Sequence, residues 1–83
     1  MSNIILPPEA MISKWTAVLK GRAYWSLSNA YTALGQHHKA MQYARLHLNV
    51  SKEIGDEAGK MAADENLRDL QIALSTQSNV TGR

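Results

Sequence analysis

Three histidines, His37, His38 and His47, are the side chains here best suited to metal binding or proton transfer. A helical zinc site needs two histidines four residues apart, and that spacing does not occur among them. No cysteine is present to complete such a site. A hydrolytic centre would need an activated nucleophile at a strained turn or a glycine-rich loop, and neither pattern is found. The sequence therefore predicts no metal, no cofactor and no catalytic residue, and we expect a protein that is not an enzyme.

A second set of side chains has a spacing suited to binding. Its members recur at i, i+3, i+4, i+7 and i+10, which places them on one helix face: Arg22, Trp25, Ser26, Asn29 and Thr32. An asparagine amide offers a donor and an acceptor to a peptide backbone, and an arginine pairs with acidic groups. Trp25 could anchor a partner, although we favour its burial under the N-terminal segment. The alternative for the polar members is a solvated face of an amphipathic helix.

Helices are the elements that would position these residues, because alanine, methionine and aliphatic residues dominate and phenylalanine is absent. A first segment begins at Pro8, a residue tolerated at a helix start. Its apolar face consists of Met11, Trp15, Val18 and Leu19. A break or kink near Gly21 is compatible with the sequence without being required by it.

The next helix is the best defined, and Gly35 ends it. Its apolar positions are Ala23, Leu27, Ala30, Tyr31 and Leu34, and the facing stripe of its partner helix is Ala40, Ala44, His47, Leu48 and Ser51. We expect the tyrosines (Tyr24, Tyr31 and Tyr43) to pack between the two helices, His37 and His38 to lie near the turn, and His47 to lie in a packing seam. Gly55 ends the partner helix, and Asp56 is suited to cap the next one.

A third helix, predicted from about Glu57 to Leu74, repeats the pattern of the second. Its apolar residues lie forty positions after their counterparts: Ala63, Leu67, Leu70 and Leu74 follow Ala23, Leu27, Ala30 and Leu34. The positions matching the polar face are Ala62, Glu65, Asn66, Asp69 and Ile72. The chain thus contains one helix pair and the first helix of another. Residues 75–83 are polar and aperiodic, and we expect them to be disordered.

Composition excludes several classes of protein. The 83 residues fit one small domain, and the net charge of +2 lacks the basic clustering of a nucleic-acid binder. No apolar run reaches the roughly 20 residues of a membrane span, and the N-terminus lacks the basic leader of a secretory signal. We expect a cytoplasmic protein.

The order Tyr24, Leu27, Ser28, Tyr31, Gly35 and then Ala40 and Ala44 follows the tetratricopeptide pattern. A period of forty is longer than the usual period of about 34. Residues 21–74 resemble the last tetratricopeptide repeat of the LGN/Pins group of G-protein-signalling modulators. The segments that carry this resemblance are GRAYWSLSNAYTALGQHHKAMQYARLHL, SKEIGDEAG and ENLRDLQIAL.

The resemblance implies an all-α fold: a tetratricopeptide-type antiparallel helix pair, one further helix and an N-terminal helix, together a fragment of an α-solenoid. It implies a role in spindle orientation and cell polarity at the cell cortex. The concave face would bind an extended NuMA- or Inscuteable-like segment, with Arg22 and Asn29 among the contacts. The predicted peptide-binding residues are Arg22, Trp25, Ser26, Asn29, Thr32, Glu65, Asn66 and Asp69.

This chain departs from the LGN/Pins pattern in several respects. Ser28 replaces the expected glycine, which would loosen the helix packing slightly. No GoLoco motif is present, so direct binding to a G-protein α subunit is not implied. Residues 1–20 do not match a preceding repeat, and we expect them to be a lead and a helix that caps the repeat unit 21–74. The alternative is a truncated fragment that does not bind peptides or that self-associates through Leu67, Leu70 and Leu74.

Overall fold

The computed structural model describes the backbone of residues 8–81 and the side chains of residues 8–76. It contains three helices: α1 (Glu9–Ala33), α2 (His37–Ile54) and α3 (Glu57–Thr81). Consecutive helices are antiparallel neighbours, with α2 packed against both α1 and α3. The predicted all-α class is confirmed, and the N-terminal helix proves to be the first part of α1.

Gly21 does not interrupt α1, so the predicted boundary between residues 20 and 21 falls inside one continuous helix. The residue is buried, and its Cα faces Val50 and His47 of α2. Met11, Trp15 and Leu19 extend the helix in line and are 46%, 54% and 67% exposed. They therefore do not fold back over the helix pair as the separate capping helix that we expected.

Glycines end the first two helices as the sequence predicts. Gly35 and Gly55 have φ values of 79° and 69°, a left-handed conformation that costs glycine little. The residue after each glycine closes a backbone hydrogen bond to the preceding turn, from Gln36 N to Tyr31 O and from Asp56 N to Ser51 O, both 2.8 Å. These paired bonds form Schellman motifs that reverse the chain within two short loops.

Asp56 caps α3 as predicted, because its Oδ1 accepts a hydrogen bond of 3.0 Å from the backbone N–H of Gly59. The helix then continues to Thr81, seven residues beyond the predicted end at Leu74. Much of the segment expected to be disordered is therefore helical, and residues 82–83 lie outside the described part of the chain.

The core forms where α2 contacts its two neighbours. Ala40, Met41 and Ala44 of α2 and Leu70 of α3 are its buried residues. Tyr31, Leu67 and Leu74 pack against them. The small side chains let the helices approach closely, as predicted. Self-association through Leu67, Leu70 and Leu74, the alternative given above, would need these side chains exposed, whereas Leu70 is 2% exposed and its two neighbours are half-buried.

A candidate peptide-binding cleft

The α1–α2 seam is built from aromatic side chains, as the sequence predicts. The rings of Tyr31 and Tyr43 stack with centroids 5.6 Å apart, and Tyr24 lies 6.2 Å from Tyr43. The Nζ of Lys39 lies 5.3 Å from the centroid of Tyr31. Three half-buried tyrosines therefore hold the helix pair in register, and we assign them packing roles rather than ligand contacts.

Ser28 links all three helices through its hydroxyl group. The residue is fully buried, and its Oγ donates a hydrogen bond of 2.8 Å to the carbonyl of Ala40 on α2. The same Oγ accepts a hydrogen bond of 2.8 Å from the Nδ2 of Asn66 on α3. Serine at this position was expected to loosen the packing, whereas the structure shows a buried and satisfied donor and acceptor.

A cleft of about 530 Å³ lies between α1 and α3, with α2 as its floor. Its lining residues are Arg22, Trp25, Ser26, His47, Ala58, Gly59 and Ala62. The first three belong to the predicted binding face, so the structure brings this part of the prediction together. Trp25 is 46% exposed, which contradicts the burial that we favoured.

The α3 wall of this cleft is formed by residues with little or no side chain. Gly59 has no side chain, and a Cβ built there would meet the side chains of Asp56 and Ser51. Ala58 and Ala62 add one methyl group each. Trp25 and Arg22 therefore line the cleft opposite a wall of small residues, an arrangement suited to an extended segment carrying an acidic group.

His47 forms the floor of the cleft. Its side chain is 7% exposed, and its ring centroid lies 6.5 Å from that of Trp25. Burial lowers the pKa of His47 below its ordinary value of 6.5, and the negative charge of Asp56 partly opposes this shift. The imidazole is therefore neutral at pH 7, and the predicted position of His47 in a packing seam is confirmed.

The remaining predicted binding residues are not all in this cleft. The side-chain amide of Asn66 donates to Ser28, so it is committed to joining α1 and α3 rather than free to bind a peptide. Thr32 donates its hydroxyl to the carbonyl of Ser28 in its own helix, 2.8 Å away. Asn29 is exposed on α1 outside the lining of the cleft.

Glu65 and Asp69 line a different, smaller depression on α3, together with Met61, Asp64 and Arg68. The predicted site thus divides into two surfaces. Helical periodicity could not distinguish them, since it groups residues by face without showing how far a neighbouring helix covers that face. The contributions of Ala58, Gly59 and His47 were missed, because they follow from the crossing of α3 over α2.

The described residues contain no group of three His, Asp or Glu side chains that could hold a metal ion. Within the same part of the chain, none of the helices contains an apolar stretch long enough to cross a membrane.

Comparison with known proteins finds similarity to very long repeat proteins. Over 66 residues the chain is 42% identical to tetratricopeptide repeat protein 28 from human, and equally to the mouse protein of that name. The aligned segment covers 80% of this chain but only 3% of each relative, so the chain spans a small fraction of their length.

No protein-family model matches the chain, and no solved structure gives a significant match. The similarity to tetratricopeptide repeat protein 28 does not support the narrower LGN/Pins assignment. The fold of three helices and the alignment over most of the chain agree with each other. Together they show an all-α fold of the tetratricopeptide type and support a tetratricopeptide-type family for this chain.

Proposed function

We propose that this chain is a protein–protein interaction module that binds an extended peptide in the cleft between α1 and α3. The observation that carries the proposal is the exposed Trp25 beside Arg22, over a wall of glycine and alanine. Tryptophan and arginine are among the residue types most enriched at binding hot spots. The role is one of binding without catalysis.

The ligand that fits this chemistry is an extended segment with an acidic residue next to an aliphatic one. Arg22 would pair with the carboxylate, and Trp25 would cover the aliphatic side chain. One cleft of this size buries little surface, so we expect binding in the high micromolar range or weaker.

The test is a fluorescence titration in a Trp15→Phe background, in which the tryptophan signal comes from Trp25. The probe is acetyl-Glu-Leu-Glu-Pro-Leu-Glu-amide, in which proline favours an extended backbone. The control is the same peptide with lysine in place of glutamate. A saturable change with the acidic peptide alone supports the proposal, and equal responses to both peptides would refute it.

The resemblance to the LGN/Pins group suggests a finer proposal: a fragment acting in G-protein signalling and spindle orientation, in the cytoplasm and at the cell cortex. Its support is the motif from Tyr24 to Ala44 and the forty-residue period. NuMA- and Inscuteable-like peptides can be titrated in the same assay. If the acidic probe binds and these two peptides do not, peptide binding in the cleft is supported and the role in G-protein signalling and spindle orientation is refuted.

A further inference from the structure

His47 brings a buried polar group to the floor of the candidate cleft. Its side chain is 7% exposed, and it lines the cleft together with Arg22 and Trp25. The Nδ1 atom of its ring is buried and has no hydrogen-bond partner among the described residues. Buried polar atoms in folded proteins are nearly always paired, because an unpaired one costs free energy. Such an atom at the floor of an open cleft is a candidate contact for a ligand.

The packing of the imidazole ring shows which of its edges is in use. A Cβ built on Gly21 would lie 3.6 Å from the Cδ2 atom of His47, so this carbon edge faces α1. Cδ2 and Nδ1 are on opposite edges of an imidazole, and the Nδ1 edge therefore faces away from Gly21. The ring of Trp25 is 6.5 Å from that of His47, centroid to centroid. The contact with α1 thus uses the carbon edge and leaves Nδ1 without a partner.

The charged groups around His47 come from two neighbouring elements. Arg22 of α1 lines the same cleft, and its positive charge disfavours a second cation there. Asp56, between α2 and α3, has the opposite effect, because its negative charge raises the pKa of His47. On α2 the titratable residue one turn away is Tyr43, whose ring packs against the other two tyrosines. The residues of α3 that line the cleft carry no charge: Ala58, Gly59 and Ala62.

An acidic segment in the cleft would change this balance of charges. Its carboxylate would pair with Arg22 and so offset the positive charge that disfavours a second cation. The same carboxylate, close to the imidazole, would favour the protonated ring directly. In an imidazolium both nitrogens carry a proton, so either Nδ1 or Nε2 can donate to the carboxylate. Protonation of His47 and binding of the acidic group would therefore support each other.

We propose that His47 is the second cationic contact of the peptide cleft: it takes up a proton from solvent as an acidic segment binds, and it then pairs with the carboxylate of that segment together with Arg22. This role rests on the proposed function, because it concerns the same cleft and the same class of ligand. It makes His47 a determinant of specificity for glutamate or aspartate over their amides, since an uncharged amide does not stabilise an imidazolium.

The proposal has a definite sign for the pH dependence of binding. The bound carboxylate raises the pKa of His47, so the complex binds this proton more tightly than the free protein does. The affinity for an acidic segment should therefore rise as the pH falls through the pKa of His47 in the complex. It should become constant below the lower pKa that burial gives His47 in the free protein.

Calorimetric titration of the full chain with acetyl-Glu-Leu-Glu-Pro-Leu-Glu-amide at pH 8.0, 7.0 and 6.0 tests this coupling. The glutamates of the peptide stay ionised over this range. We expect the affinity to be about threefold or more higher at pH 6.0 than at pH 8.0. Titrations at pH 7.0 in buffers of different ionisation enthalpy should show net uptake of protons. The same peptide with glutamine in place of glutamate is the control, and its binding should be weaker and independent of pH.

The outcomes separate this role of His47 from the proposed function. Saturable binding of the acidic peptide with the same affinity at all three pH values would overturn the role of His47 and leave peptide binding in the cleft supported. Absence of binding at every pH would overturn both.

A variant and a direct measurement assign the effect to His47. His47→Gln keeps a polar side chain that takes up no proton, and it should lose the rise in affinity between pH 8.0 and pH 6.0. A rise that persists in this variant would overturn the proposal. NMR on the unchanged chain needs no variant, because the Cε1–H signal of His47 reports its protonation. We expect the pKa of His47 to be higher by about one pH unit with saturating peptide than without it, and equal values would overturn the proposal.

Discussion

The Nδ2 of Asn66 lies 2.8 Å from the Oγ of Ser28, and this hydrogen bond joins the first helix to the third. The same hydroxyl donates to the carbonyl of Ala40, so one buried oxygen connects all three helices. Neither residue lines the candidate cleft, but Ser28 belongs to α1 and Asn66 to α3, the two helices that form its walls. The distance between α1 and α3, which defines the cleft, therefore depends on this bond.

Ser28→Ala should destabilise the fold by about 1–2 kcal/mol, because it removes two buried hydrogen bonds. In a chain of this size, that loss corresponds to a fall of roughly 5–15 °C in Tm. Ser26→Ala is the control, since Ser26 is an exposed serine on the same helix, and it should change stability by less than about 0.5 kcal/mol. Equal melting of the two variants would show that the hydroxyl of Ser28 contributes nothing.

Asn66→Asp should also destabilise the fold, although the side chains have nearly the same shape. A carboxylate cannot donate to Ser28, whose hydroxyl proton already points to Ala40.

Chemical denaturation of Ser28→Ala, Asn66→Ala and the double variant measures the coupling between the two residues. We expect a coupling free energy of about 0.5–1.5 kcal/mol. Strict additivity would mean that the bond does not form in solution.

Gly21→Ala should stabilise the protein by about 0.5–1 kcal/mol, because glycine in a helix interior leaves the unfolded chain extra freedom. An added Cβ would lie 3.5 Å from Val50 and 3.6 Å from His47, which is ordinary contact. Gly55→Ala should instead destabilise the protein by about 1 kcal/mol, since φ is 69° at that position. Thermal melts of both variants test these two predictions. A lower Tm for Gly21→Ala would indicate a distorted α1.

Stability should fall as the pH is lowered below about 6.5. Burial lowers the pKa of His47 in the folded state, so the unfolded chain takes up this proton at a higher pH. The stabilisation that neutral His47 gives the folded state is complete above the pKa of 6.5 that the residue has in the unfolded chain. This stabilisation is lost as the pH falls towards the lower pKa of the folded state. Melts between pH 5 and pH 8 should show a shallower dependence for His47→Gln.

Much of the fold could be predicted from the sequence, because local chemistry determines helix ends. Gly35 and Gly55 adopt the left-handed conformation of helix ends, and Asp56 caps α3. The packing of Tyr31 against Tyr43 also followed from helical spacing.

What the sequence could not show is which neighbour covers which face. The same apolar pattern is buried on α3 at Leu70 and exposed on α1 at Leu34, because α2 lies against only one of the two rows. The exposure of Trp25 and the use of Asn66 inside the protein depend on the same missing information, namely the path of α3 across the helix pair.

The most direct test of the proposed function is a two-dimensional ¹H–¹⁵N correlation spectrum recorded during titration with the acidic peptide. We expect the signals of the indole N–H of Trp25 and of the backbone N–H groups of Arg22, Gly59 and Ala62 to shift together and saturate. The signals of the depression formed by Met61, Asp64 and Arg68 should stay in place. Shifts confined to that depression, or no saturable shifts near Trp25, would contradict a peptide-binding cleft between α1 and α3.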